Sequence, residues 1–244
     1  LNNGSYKGNM EVNTVIKINE VSKYYDKFLS LDSVSAEIEK GSIFGLVGSN
    51  GSGKSTLLRI MSGIFTSDGG EVLYGGDAVY ENPSVKKRVL YLSDEQYFYP
   101  HSTLLEMKNL YKSVYEGFDE ERFKKLCNLF ALNPMRRLST FSKGMQKQSA
   151  FLLALSCRPD YLLCDETFDG LDPVMRALVK RIIAEESAER SMTTVIASHN
   201  LRELEDICDH IALLHKSKIL FVSDVDTMKE NIHTVQAVFP PEFS

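Results

Sequence analysis

Nine residues, Gly48-Ser49-Asn50-Gly51-Ser52-Gly53-Lys54-Ser55-Thr56, constrain this chain more than any other stretch. They follow the apolar run Ile43-Phe44-Gly45-Leu46-Val47 and precede Leu57, Leu58, Met61 and Ile64, which are spaced as the apolar stripe of a helix. The reading is a strand, a glycine-rich turn and a helix start. The pattern G-x-x-x-x-G-K-[ST] falls on Gly48, Gly53, Lys54 and Ser55, an arrangement that aims successive backbone N–H groups and a helix N-terminus at phosphate oxygens. Lys54 is expected to hold β/γ-phosphates and Ser55 to offer its hydroxyl to Mg2+. Gly51 and Gly53 let the backbone approach a ligand where a Cβ would collide. A glycine-rich turn with a chance Lys-Ser would also match, but few chance matches stand between a strand and a helix.

The chain's 244 residues allow one sizeable core, or a core with a smaller attached lobe. A formal net charge of -5 gives no basic field, so nucleic acid is not expected as the main partner. Cys127, Cys157, Cys164 and Cys208 stand far apart, mostly inside apolar runs and without C-x-x-C spacing, and read as buried thiols of a cytosolic protein. No stretch approaches the roughly 20 apolar residues of a membrane helix, and the N-terminus lacks a basic-then-apolar signal. Any membrane role is then expected to come through a partner. Residues 1–9 read as an added or processed leader, and residues 231–244, ending in Pro240-Pro241-Glu242-Phe243-Ser244, as a tail or the start of a cut segment.

Val15 to Val21 and Ser35 to Glu39 alternate apolar and polar residues as antiparallel strands do, and Glu71 to Tyr74 adds a third. Tyr25, just past the first strand, could stack on a base; Tyr24 is its equal by composition, and a ring packed on the sheet is the plainer alternative. Val89 to Leu92 reads as a buried strand running into Ser93-Asp94-Glu95-Gln96-Tyr97-Phe98-Tyr99-Pro100, a loop expected to expose its aromatics. Thr103 and Glu106 form a capping box ahead of a helix through Val114, and Asp119 to Leu132 repeats the helical pattern. Two helices without a strand between them suggest a helical lobe over about 96–137. A helix through Gln148 to Ser156 follows, then the buried strand Tyr161 to Cys164, which ends in Asp165-Glu166 at the edge where open α/β sheets bind ligands. Asp172-Pro173 starts a helix with Val174, Leu178 and Ile182 on one stripe. Thr194 to Ala197 ends in Ser198-His199, and Leu201, Leu204, Ile207, Cys208 and Ile211 mark a further helix face. A hairpin through Lys216-Ser217-Lys218 and a short helix complete the pattern.

Asp165 at a strand end beside a phosphate loop suits Mg2+, and Glu166 can orient and deprotonate water. Helix capping is the alternative for such a pair. His199, leaving a buried strand, can reach a γ-phosphate, although a lone histidine there is more often a satisfied surface residue. His101, His210, His215 and His233 lack such a context and read as structural.

From Val15 to about Met228 the chain resembles the nucleotide-binding subunit of ATP-binding cassette transporters. Its most specific element is Phe141-Ser142-Lys143-Gly144-Met145 followed by Gln146-Lys147-Gln148, similar to that family's signature loop in the form common among bacterial exporter ATPases. The resemblance implies an α/β fold: a P-loop NTPase core with a mainly parallel sheet, an N-terminal antiparallel β layer and an inserted helical lobe, as one domain over 10–230. It implies ATP as substrate with Mg2+, and assigns Tyr25 to the base, Asp165 to the Mg2+ side and Glu166 to catalysis with Lys54. Gly170-Leu171-Asp172 matches the dimer-crossing loop and His199 the switch histidine, while Ser142 and Gly144 act on nucleotide across a head-to-tail dimer. The partners implied are a second ATPase subunit, identical or different, and a membrane-spanning transporter subunit docking on Tyr97, Phe98 and Tyr99, with the chain peripheral on the inner face of the membrane. Two departures stand out. Thr167 replaces the usual proline after the glutamate, and Asp94 stands where the family usually has glutamine, so its contact with Mg2+ is open.

A soluble family member acting on nucleic acid or the ribosome is the second reading. It predicts a coiled-coil insertion, two cassettes or a basic surface. A binding module without turnover would be expected to lack the carboxylate that Glu166 supplies.

Overall fold

The computed structural model describes residues 14–231; residues 1–13 and 232–244, which hold the leader read over 1–9, His233 and all but the first residue of the tail read over 231–244, lie outside them. The chain opens with β1 (Thr14–Tyr25) and β2 (Phe28–Glu39), then β3 (Ile43–Val47), α1 (Lys54–Met61), β4 (Gly69–Tyr74), β5 (Asp77–Ala78), α2 (Pro83–Lys86) and β6 (Val89–Leu92). Next come α3 (Leu104–Val114), α4 (Glu120–Leu129), α5 (Lys143–Ser156), β7 (Tyr161–Asp165), α6 (Pro173–Arg190) and β8 (Thr193–Ser198). The last described elements are α7 (Leu201–Glu205), β9 (His210–His215), β10 (Lys218–Asp224) and α8 (Val225–Asn231).

Two sheets result. One is antiparallel, in the order β2-β1-β4-β5. The other, β10-β9-β3-β8-β7-β6, is parallel except for the β9–β10 hairpin. Every residue of β3, β7 and β8 is buried, because both faces of the parallel sheet are covered. Alternate residues divide between two cores: Phe44, Leu46, Leu163 and Val195 meet α1 and the antiparallel sheet, while Ile43, Val47, Leu162 and Ile196 meet the helices. On the helical side Phe151 stacks on Phe168 with ring centroids 5.9 Å apart, and both are fully buried. Lys216 and Ser217 carry the β9–β10 turn at positive φ, as a two-residue hairpin requires.

The stretch holding α3 and α4 leaves and returns at one place. Thr103 bridges Arg137, and Leu138 N–H donates to the Ser102 carbonyl at 2.9 Å. The capping box is formed: Glu106 N–H donates to Thr103 Oγ1 at 3.2 Å and Thr103 N–H to Glu106 Oε2 at 2.7 Å. All four cysteines are free and buried, and burial pushes the Cys157 and Cys164 thiols up to about 12. Among the described residues no helix is long and apolar enough to cross a membrane.

Three expectations are corrected. On α6 Val179, Ile182, Ile183 and Glu186 are buried and Leu178 packs partly buried against the same core, but Val174 of the expected stripe is 76% exposed. Helix α7 stops at Glu205 and Ile211 lies in β9, since Asp209 clamps the chain to β3: its N–H donates to the Ile43 carbonyl at 2.8 Å and its Oδ2 accepts from Ile43 N–H at 2.7 Å. In the loop after β6, Tyr97 and Tyr99 are exposed, but Phe98 packs against the helical core.

Candidate nucleotide site

The buried strand β3 delivers the chain to the turn at Gly48, and α1 begins six residues later at Lys54. Glycine is required at two places. A Cβ on Gly48 would lie 2.3 Å from the Leu214 carbonyl oxygen, and one on Gly53, at φ 110°, 2.6 Å from the Ser30 carbonyl oxygen. Gly53 caps α1 without any side-chain hydrogen bond, and no acidic residue occupies the first turn, so this helix start suits an anion. The turn lines a cavity of about 510 Å3 with Tyr25, Phe28, Asp94 and Glu166. Asn50, Gly51, Gly53, Lys54, Ser55 and Thr56 reach that cavity. Ser49 is exposed beside it, and the buried Ser52 Oγ has no partner. The Thr56 hydroxyl accepts from Ser30 Oγ at 3.1 Å, which ties α1 to β2.

Lys54 is 5% exposed, and its Nζ donates to the carbonyls of Gly48 at 2.7 Å and Ser49 at 3.2 Å. The same Nζ lies 3.1 Å from Glu166 Oε1. Ser55 Oγ donates to Asp165 Oδ1 at 3.0 Å, and Tyr91 Oη to Asp165 Oδ2 at 2.9 Å. Burial raises the Asp165 carboxyl above its ordinary value, opposed by the Tyr91 and Ser55 hydrogen bonds. Glu166 holds φ 50°, a left-handed backbone that a non-glycine residue adopts only under constraint. Its Oε2 accepts from His199 N–H at 3.2 Å and lies 3.0 Å from His199 Nδ1. The hydrogen bond to Glu166, and then its charge, raise the His199 pKa. Asp169 Oδ2 is 3.9 Å from the same ring nitrogen.

Most of the expected residues therefore converge: Lys54, Ser55, Asp165, Glu166 and His199 share one network. Tyr25 is the last residue of β1 and lines the cavity; Tyr24 does not, but both border a second depression with Ile64 and Phe65, where the Tyr25 ring meets Phe65 edge-on with centroids 6.4 Å apart. Ser142, Gly144 and Asp172 do not line the cavity. Ser142 Oγ accepts from Met145 N–H at 3.2 Å as the N-cap of α5, and Asp172 Oδ1 caps α6. Asp94 borders the cavity, yet its Oδ1 accepts from Lys147 Nζ at 2.9 Å. Sequence reasoning missed Tyr91, Phe28 and Lys147. Tyr91 alone had a signal: between inward Leu90 and Leu92, it must face the side on which α1 lies.

A phosphate-binding turn on a parallel sheet, with the Ser55–Asp165 pair and the Glu166 carboxylate at the end of β7, defines a P-loop nucleotide hydrolase. Residues 31–169 match the family described as ABC transporter. The chain is 34% identical over 225 residues to the ABC transporter ATP-binding protein YtrB of Bacillus subtilis (strain 168), covering 92% of this chain and 77% of that one. It is 29% identical over 218 residues to the Fe(3+) ions import ATP-binding protein FbpC of Yersinia pestis bv. Antiqua, covering 86% of this chain and 62% of that one. A solved structure of the ATP binding subunit of an ABC transporter superposes with a TM-score of 0.81 at 24% identity, covering 89% of this chain and 92% of that one, a likeness of fold. The chain belongs to the ABC transporter family and is its ATP-hydrolysing, ATP-binding subunit.

Proposed function

We propose that the chain powers a membrane exporter by hydrolysing MgATP at the interface of a head-to-tail dimer. The observation that carries this reading is a division of the expected site. Lys54, Ser55 and Glu166 line one cavity, with Asp165 bonded to Ser55 and His199 to Glu166, while Ser142 and Gly144 neither line it nor bond to these residues. A hydroxyl at a helix N-terminus is an anion site in waiting, and a second subunit supplies the nucleotide for it. Export rests on the Ser142-Lys143-Gly144-Met145 form of the signature loop; the relative FbpC is named for import. The chain then sits on the inner face of the membrane, held by a membrane-spanning partner at Tyr97 and Tyr99. Residues 14 to about 230 act as one ATPase domain, and 96–137 as a helical lobe pinched at Thr103 and Arg137.

The Ser55 hydroxyl and the buried Asp165 carboxylate are hard oxygen donors 3.0 Å apart, and they suit Mg2+. When bound there, Mg2+ supplies charge neutralisation for the phosphates. Lys54 holds phosphate charge directly. Lys54 and His199 face the two oxygens of Glu166. Phosphate competes with the carboxylate for Lys54 and for the His199 ring, so bound substrate releases Glu166 to take a proton from water. Tyr91 keeps Asp165 oriented.

Mixing Ser142→Arg subunits with Lys54→Ala subunits tests the dimer. Both defects then fall on one composite site and leave the other intact. Activity returns in part from two inactive proteins. No recovery while mixed dimers form would make Ser142 an ordinary N-cap.

A further inference from the structure

Lys147 lies on the second turn of α5, behind the signature loop, with its side chain only 12% exposed. Its Nζ joins two segments that are far apart in sequence: it donates to Asp94 Oδ1 at 2.9 Å and to the Glu166 backbone carbonyl at 3.2 Å. We infer that Lys147 is a positioning residue that locks the left-handed backbone of Glu166 to the loop carrying Tyr97, with Asp94 as its anchor. This inference rests on the reading of Glu166 as the base.

The geometry around Glu166 explains why such a lock matters. Its N–H donates to the Ala197 carbonyl at 3.0 Å, which fixes one side of the residue to β8. Its carbonyl accepts a long bond of 3.4 Å from Asp169 N–H, so Lys147 supplies the shorter and charged donor on the other side. A residue at φ 50° stays there only while its surroundings hold it. Gly144 reinforces the junction from the same helix, since a Cβ there would lie 3.1 Å from the Gly170 carbonyl oxygen. Asp94 is 59% exposed, and the Lys147 ammonium it faces gives its charge a partner. The departure at position 94 and the lysine at position 147 are thus one feature: a neutral glutamine at 94 would leave Lys147 without its counter-charge.

The arrangement links three actors. The loop after β6 presents Tyr97 and Tyr99 outward, α5 presents Ser142 for the neighbouring site, and Glu166 serves its own site. Movement of the loop pulls Asp94, and Lys147 passes it to the Glu166 carbonyl.

The test uses the full chain with Lys147→Met, Lys147→Arg, Asp94→Asn and the double variant Asp94→Asn/Lys147→Met. Lys147→Met lowers kcat at least about tenfold, the loss expected of a misplaced base, with the KM for ATP and the melting temperature nearly unchanged. Lys147→Arg, which keeps the charge and donors, recovers much of the loss. The double variant is no worse than Lys147→Met, because Asp94 acts only through Lys147. The chain has no tryptophan, so Tyr97→Trp gives a single reporter on the loop. Addition of ATP shifts its emission, and Lys147→Met removes at least about half of the shift. A kcat for Lys147→Met within about twofold of wild type overturns the inference, as do additive losses or an emission shift that is absent or indifferent to Lys147. If Glu166→Gln keeps its turnover, the base itself is lost, an outcome separate from any result at Lys147.

Discussion

Lys54 Nζ and Glu166 Oε1 stand 3.1 Å apart, an ion pair between the phosphate loop and the carboxylate that follows β7. Both side chains are largely buried, and the pair keeps either charge from being stranded. Substrate phosphate replaces the carboxylate on Lys54. Lys54→Ala is therefore predicted to weaken ATP binding at least about tenfold, the loss expected when a charge-assisted hydrogen bond worth about 1.5–3 kcal/mol is removed. Titration with a fluorescent ATP analogue measures it.

The His199 pKa is raised above its ordinary value of 6.5 by the Glu166 hydrogen bond, with the Glu166 and Asp169 charges adding and Lys54 opposing. A folded-state pKa raised above the unfolded one favours folding while the ring is protonated. That stabilisation is full below the ordinary histidine value and fades as pH rises through the raised one. The nucleotide-free protein should exceed His199→Ala in melting temperature by most at mildly acidic pH, with the gap closing on the alkaline side. A gap independent of pH contradicts the pairing.

The parallel sheet was legible because β3, β7 and β8 are short, mainly apolar runs buried on both faces, and the caps at Thr103 and Asp172 announced their helices. The phosphate turn was legible because its glycines are forced by backbone contacts. Less legible were features that depend on partners distant in sequence. Leu204, Cys208 and Ile211 keep helical spacing, and only the Asp209–Ile43 clamp turns the chain into β9. Phe98 looked like its exposed neighbours until the helical core covered it. Lys147 sat in plain view inside the signature segment, but its roles come from Asp94 and Glu166.

Thr103→Ala removes the side-chain cap of α3 and keeps the backbone bridge to Arg137. A loss of about 1 kcal/mol is predicted, read from the shift in the denaturant midpoint. No change would mean that the Thr103–Arg137 neck holds without its capping box.

Asp94 gives its carboxylate to Lys147, and on the proposed reading Ser55 and Asp165 form the Mg2+ side of the site. Asp94→Asn should leave the Mg2+ concentration for half-maximal hydrolysis unchanged while lowering the maximal rate. A raised Mg2+ requirement would return Asp94 to the metal.

Phosphate release from wild type and Glu166→Gln, measured beside ATP binding on the same samples, tests the central claim most directly. The amide still accepts a hydrogen bond from water but cannot take its proton, so turnover should fall by about 10²–10⁴ with ATP binding retained and an ATP-bound dimer accumulating. Turnover of Glu166→Gln within about tenfold of wild type would contradict Glu166 as the base and the hydrolytic site built around it.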